Sequence, residues 1–185
     1  MEEGIVRKTR VWLVVVSSVV VGGLLLSLSV PAAAAGKKRV KATLNGLQED
    51  PSVSTRGHGT FEAVIDDEAR TIDYVLAYDD LESTPTLFAH IHFGSHDHNG
   101  GVAVFFCGGG TRPAACPAGG GVLEGTFMPA DVVGPNAQGI EPGAFEELVA
   151  AIRAGHTYVN VHTTRWPMGE IRGQINDADQ RETRK

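Results

Sequence analysis

Histidines are the residues of this sequence whose type and spacing could support chemistry. Six of the seven fall in three short groups, and two of those groups lie in strand-like runs. His90 and His92 alternate within residues 89–92, so both side chains project from one face of a strand, about 7 Å apart at their Cα atoms. His162 ends a second strand-like run, residues 158–162. If the two strands are neighbours, three imidazoles meet on one surface, and such a set of nitrogen ligands suits copper or zinc.

Two alternatives to that site stay open. His96 and His98, with Asp97 between them, lie in the loop after the first of these strands and form a weaker set of candidate ligands. The histidines could instead be structural, with their rings bonded to backbone carbonyls or to Asn160 or Glu170. If a metal is bound, the same two side chains are expected to orient a ligating ring. A metal site and a structural network are both compatible with the sequence.

No complete catalytic motif accompanies the histidines. The G-x-S-x-G and P-loop patterns are absent. The glycine runs 108–110 and 119–121 lack the Lys-Ser/Thr pair of a phosphate-binding loop, so tight turns explain them better. The sequence therefore favours a protein that is not an enzyme.

The first 35 residues have the three parts of a secretory signal peptide. Arg7, Lys8 and Arg10 precede an apolar run over residues 11–30, and residues 31–35 (PAAAA) supply a small-residue cleavage site. A retained membrane anchor is the alternative, since an apolar run of this length can span a bilayer. The serines and glycines within the run favour cleavage. We therefore predict a protein that is secreted or held in the cell envelope, with membrane contact only if the segment is retained.

The remaining chain is acidic and long enough for one domain. Without residues 1–35 it carries 13 Lys and Arg against 20 Asp and Glu, a net charge of −7, which argues against nucleic acid as a partner. Its two cysteines, Cys107 and Cys116, allow a single internal pairing. In an oxidising compartment we predict a disulfide, with two free thiols as the alternative. Residues 36–176 are predicted to form the domain, and residues 177–185 a polar tail.

Short alternating runs separated by Gly, Pro, Asp and Asn predict an antiparallel sandwich or barrel. The eight candidate strands are residues 40–44, 60–65, 71–78, 87–93, 102–106, 122–127, 158–162 and 169–175. Residues 142–154 differ, because their apolar side chains recur at helical spacing. Pro142 suits the first turn of that helix, and Gly155 suits the left-handed residue after its end.

Five motifs in order resemble the chordin-type domain, called CHRD, over about residues 38–176. They are Leu44-Asn45-Gly46-Leu47-Gln48-Glu49, Ala89-His90-Ile91-His92-Phe93-Gly94, Asn99-Gly100, Ala154-Gly155-His156-Thr157-Tyr158-Val159-Asn160-Val161-His162-Thr163 and Pro167-Met168-Gly169-Glu170-Ile171-Arg172-Gly173-Gln174-Ile175. In animals such domains are part of chordin, an extracellular antagonist of bone morphogenetic proteins. Single-domain versions occur in exported bacterial proteins, and for these the resemblance implies no settled biochemical activity.

The CHRD family is itself thought to be similar to copper–zinc superoxide dismutases, which are immunoglobulin-like Greek-key β-barrels. That similarity implies that His90, His92 and His162 are copper ligands. It also implies that Arg172 guides an anionic substrate. The sequence departs from the dismutases in lacking the H-x-N-P segment of their bridging histidine, and its zinc loop is reduced to at most residues 96–98. A mononuclear copper site is compatible with these departures, whereas full dismutase activity is not expected.

Two functions from different classes follow. The first, which the sequence favours, is a non-catalytic extracellular binding module for an unknown extracellular protein or surface component. The alternative is a copper- or zinc-binding protein with a dismutase-like site built from His90, His92 and His162, and with at most weak activity toward superoxide. For both, the expected fold is an all-β, immunoglobulin-like or dismutase-like Greek-key sandwich or barrel with one short helix.

Overall fold

The computed structural model describes Met1 and residues 37–176. The predicted signal peptide, apart from Met1, and the predicted polar tail therefore lie outside the described residues. The chain divides into two units after Ala32, and the description below concerns the second, Ala33–Lys185. Within the described part of the chain, no helix has the length and apolar character needed to cross a membrane.

The domain consists of antiparallel strands with one short α-helix. In chain order the elements are β1 (Lys38–Asn45), β2 (His58–Asp66), β3 (Thr71–Asp79), β4 (Thr86–Phe93), β5 (Gly101–Cys107), β6 (Gly121–Phe127), α1 (Phe145–Arg153), β7 (Thr157–Thr163) and β8 (Ile171–Gln174). Single turns of 3-10 helix lie at Gly46–Gln48, Pro129–Asp131 and Asn136–Gln138. The predicted all-β class with one short helix is confirmed.

The strands form a sheet in the order β5-β4-β7-β8-β1-β2-β3-β6 that nearly closes on itself as a barrel. Its two four-stranded halves meet between β8 and β1, where Arg172 pairs with Asn45 and where Asn176, just past β8, forms a bridge with Lys41. Alternate side chains of both halves point inward and form one apolar core, which includes Phe61, Leu76 and Ile91.

Strand β7 is covered on its outer face as well. All seven residues of β7 are buried, although a strand with one solvated face would alternate between buried and exposed residues. Val159 and Val161 of β7 belong to the apolar core. The opposite face of β7, which carries Tyr158, Asn160 and His162, is therefore buried beneath the loops that cross it. This covered face positions the polar residues described below.

Helix α1 is shorter than predicted. It begins at Phe145 with Ala144 as its N-cap, so Pro142 lies in the turn before the helix and not in its first turn. Gly155 has a φ of 73°, the left-handed conformation expected just past a helix. The helix packs one apolar face into the core through Phe145, Leu148, Val149 and Ile152.

The two cysteines form the predicted disulfide. Cys107 ends β5, and Cys116 lies nine residues further along the chain. Both side chains are buried in the core cluster. The alternative of two free thiols is excluded.

Candidate metal centre

Pairing between β4 and β7 brings the three predicted histidines onto one covered face. In this antiparallel pair, His90 lies opposite Asn160, His92 opposite Tyr158, and Phe88 opposite His162. His162 is therefore the diagonal neighbour of His90, close enough for aromatic rings to meet. The neighbouring strands on which the predicted site depended are present.

The three imidazoles form a compact group, called the histidine cluster below. One ring nitrogen from each of His90, His92 and His162 lies within 4.8 Å of the other two. The ring centroid of His90 is 4.3 Å from that of His92 and 4.5 Å from that of His162. Metal–nitrogen bonds of about 2.0–2.1 Å hold two ligand nitrogens at most roughly 4 Å apart. Ring movements of less than about 1 Å thus suffice to form a coordination sphere.

Backbone carbonyls orient two of the rings. His92 donates from Nδ1 to the carbonyl of Gly100 at 2.7 Å, and His162 donates from Nδ1 to the carbonyl of Pro167 at 3.0 Å. Since a carbonyl only accepts, each bond places the ring proton on Nδ1 and leaves the Nε2 lone pair unprotonated. Those two Nε2 atoms and Nδ1 of His90 are buried and have no hydrogen-bond partner. The cluster therefore offers two unprotonated nitrogens, together with an unpaired third one on His90.

Burial keeps the cluster neutral. It lowers the pKa of His90 to about 2 and that of His92 to about 4, and it also lowers the pKa of His162. For His90 the neighbouring rings of His92 and His162 add to the effect, because two positive charges repel each other at this distance. Neutral imidazole is the form that binds a metal, so the cluster requires no deprotonation at pH 7.

Aromatic rings surround the cluster. Phe105 packs edge-on against His90 with centroids 5.2 Å apart, and Phe88 lies 6.4 Å from His90 and 6.2 Å from His162. On the other side, Tyr158 stacks almost parallel to His92 at 4.7 Å. Phe88 is 38% exposed, whereas His90 and His162 are only 5% and 6% exposed. The cluster thus lies just beneath the surface, among apolar groups.

Arg172 is buried and holds the loop between β4 and β5. It is 1% exposed, and its guanidinium lies 3.5 Å above the Tyr158 ring. Its Nη2 donates to the carbonyls of Ser95, His96 and His98, and its Nη1 donates to the Asn99 side chain; the four bonds are 2.8–3.3 Å long. A guanidinium committed in this way is not free to attract an anion from solvent. The anion-guiding role implied for Arg172 does not fit this placement.

Asn160 and Glu170 are both buried but do not orient the rings. Asn160 donates to Glu49 at 2.7 Å and to the carbonyl of Ile171 at 3.0 Å. Glu170 accepts from the hydroxyls of Thr55 and Thr163, both at 2.7 Å. The predicted ring-orienting role of these two side chains is therefore wrong, since backbone carbonyls perform it. Sequence reasoning also gave no role to Glu49, although its family motif was recognised.

The weaker ligand set stays apart from the histidine cluster. His96 bonds to the neighbouring Asp97 at 2.8 Å, and His98 lies 3.2 Å from the hydroxyl of Ser95. The side chain of His96 is 45% exposed. Among the described residues, the one group of three or more potential ligands that converges on a point is His90, His92 and His162.

Comparison with known proteins identifies one family. A family model described as the CHRD domain matches residues 40–175, which is most of the chain. No curated protein and no solved structure gives a significant match.

Proposed function

The chain belongs to the CHRD domain family, and from its histidine cluster we propose that it binds one copper or zinc ion through His90, His92 and His162. The observation that carries the proposal is the set of three buried ring nitrogens without hydrogen-bond partners. In a structural network, buried polar groups are paired, and each unpaired group costs about 1–3 kcal/mol. Three such groups on rings that converge within 4.8 Å are instead what a metal site requires.

The surrounding residues also fit such a group. The carbonyls of Gly100 and Pro167 fix the tautomers of His92 and His162, which is the usual role of partners behind metal-binding histidines. Bound copper would supply one-electron redox chemistry. Because the guanidinium of Arg172 is buried in the loop contacts, we propose metal binding and not superoxide dismutation as the function.

Export completes the proposal. Residues 1–35 act as a cleaved signal peptide, and the protein works outside the cytoplasm, secreted or in the cell envelope. The disulfide between Cys107 and Cys116 supports this, because such bonds persist in oxidising compartments. Mass spectrometry of protein from the exported fraction should find a chain beginning near Gly36. A full-length chain there would contradict cleavage, and its absence from that fraction would contradict export.

The binding-module hypothesis stays a prediction. It names an unknown extracellular protein or surface component as partner, and no contact within residues 37–176 identifies one. A metal ion that stabilises the fold is compatible with such a module. Measurement of the metal therefore comes first.

The test is metal analysis of protein purified without chelators, followed by thermal unfolding with added copper or zinc. We expect near-stoichiometric metal and a melting temperature that rises with metal concentration. His90→Ala should lose both effects, whereas the matched control His96→Ala, on an exposed and separate histidine, should keep both. A melting temperature that saturating copper and zinc leave unchanged would refute the proposal.

A further inference from the structure

The charge and surroundings of the histidine cluster indicate which ion it holds. We infer that the site selects monovalent Cu(I) over divalent Cu(II) and Zn(II). This inference rests on the proposed metal-binding function and extends it by naming the oxidation state. The observation behind the inference is a set of three nitrogen ligands among aromatic rings, with no carboxylate in the set.

The two buried acidic side chains of the described residues, Glu49 and Glu170, are committed elsewhere. Among the described residues, no Asp or Glu belongs to the group of converging ligand atoms. Glu49 accepts from Asn160, and Glu170 accepts from two threonine hydroxyls and from the backbone N–H of Glu82. Nothing in the ligand set therefore offsets the charge of a bound ion.

A positive charge lies near the cluster. Arg172 stacks at 3.5 Å on the Tyr158 ring, which stacks in turn on His92 with centroids 4.7 Å apart. In the sheet order β4-β7-β8, Tyr158 stands between the strands of His92 and Arg172. A cation one ring away from a ligand repels a divalent ion more strongly than a monovalent one.

The cost of removing the ion from water also favours the monovalent ion. His90 and His162 are 5% and 6% exposed, so an ion bound between them loses most of its contact with water. In a continuum description the cost of moving an ion into a low-dielectric site scales with the square of its charge, which is about fourfold larger for a divalent ion. Neutral ligands compensate only in part. The apolar rings of Phe88 and Phe105 add no polar group to help.

The number of ligands also favours the monovalent ion. Cu(I) is a d10 ion that three nitrogen ligands can satisfy. Cu(II) prefers tetragonal coordination, and zinc prefers four ligands. No fourth His, Cys, Asp or Glu joins the cluster within residues 37–176. A divalent ion would need water or another external ligand to complete its coordination.

Competition titrations with the purified protein test the inference. Under anaerobic conditions, bicinchoninate competes for Cu(I); matched chelators of known affinity compete for Cu(II) and Zn(II) at the same pH. We expect one Cu(I) per chain, bound at least 100-fold more tightly than Cu(II). At 59 mV for each tenfold difference in affinity, that preference raises the Cu(II)/Cu(I) reduction potential of the bound ion by roughly 118 mV relative to the free ion. His90→Ala should abolish the binding, and His96→Ala should not.

A pair of isosteric variants isolates the role of charge. Phe88 is 38% exposed and beside two of the rings, so both Phe88→Asp and Phe88→Asn should fold. A carboxylate there stabilises a divalent ion more than a monovalent one. We expect Phe88→Asp to reduce the ratio of Cu(I) to Cu(II) affinity at least tenfold relative to Phe88→Asn.

The outcomes separate the two proposals. Tighter binding of Cu(I), with the expected difference between the two Phe88 variants, supports the inference. His90-dependent binding in which Cu(II) or Zn(II) is held as tightly as Cu(I) overturns the inference but leaves the proposed function intact. If none of the three ions binds, both are overturned.

Discussion

His90→Leu should distinguish a metal site from a structural network by the sign of its effect on stability. His90 is 5% exposed, and its Nδ1 has no hydrogen-bond partner. Leucine has a similar volume and no polar atom, so the variant recovers the cost of the unpaired nitrogen, about 1–3 kcal/mol. Imperfect packing against Phe105 offsets up to about 1.5 kcal/mol of that gain. We therefore expect the metal-free variant to be more stable than the wild type by about 1 kcal/mol.

Bound metal should make the wild type more stable than His90→Leu, which reverses their order in the metal-free state. At a free copper concentration 100 times the dissociation constant, binding stabilises the wild type by about 2.7 kcal/mol. The variant has lost one of its three ligands and gains little. With copper present, the wild type should thus be more stable than the variant by about 1–2 kcal/mol.

Urea unfolding followed by far-ultraviolet circular dichroism measures both states, once with a chelator and once with copper. Equal m-values in the two proteins would show that the same surface unfolds. The control is His96→Leu, whose partly exposed ring lies outside the cluster, and which should change neither curve. If His90→Leu instead loses more than about 1 kcal/mol in chelator, and copper does not stabilise the wild type, the histidines are structural and the reasoning is wrong.

Three further predictions concern the surroundings of the cluster. Arg172→Met should cost about 3–5 kcal/mol of unfolding free energy, because the loss of four hydrogen bonds leaves acceptors of the loop unpaired and a ring contact is lost as well. Arg165→Met, on a 63% exposed side chain, should cost less than about 1 kcal/mol in the same urea titration. Burial raises the pKa of Glu49 from 4.5 to about 7. Protonation of Glu49 therefore stabilises the fold fully below about pH 4.5, and this stabilisation is lost as the pH rises through about 7. In urea titrations from about pH 4.5 to 8, the unfolding free energy should fall by on the order of 3 kcal/mol less in Glu49→Gln than in the wild type. Replacing Cys107 and Cys116 by serine should cost about 2–3 kcal/mol through the loss of loop closure, and an unchanged urea midpoint would contradict that value.

Local sequence patterns predicted the fold because each strand carries its own signal. Strands β2 and β3 alternate buried and exposed residues along most of their length, and this period of two is visible in the sequence. The helix was recognised from its apolar spacing, but its start was placed too early. Pro142 fits the first turn of a helix on local grounds, whereas in the structure the chain turns once more before Phe145.

The candidate site was only partly predictable because its parts are distant in sequence. His90 and His92 share a strand face by simple alternation. Their approach to His162 depended on which strands are neighbours, and that assumption is confirmed by the β4–β7 pairing. The contact between Glu49 and Asn160 joins residues 111 positions apart. No local pattern indicates such a contact, and therefore none indicates the raised pKa of the carboxyl group.

The groups that orient the rings differ from the predicted ones, and this difference affects the chemistry of the site. For a metal site, Asn160 or Glu170 was expected behind the imidazoles, and a carboxylate in that position makes a ring more basic and more able to hold a divalent ion. Backbone carbonyls orient the rings without adding a negative charge. One of these carbonyls belongs to Gly100, the last residue of the loop to whose other carbonyls Arg172 donates hydrogen bonds. The same loop therefore provides the carbonyl that sets the tautomer of His92, so loop closure and the inferred preference for a monovalent ion would have a common structural origin.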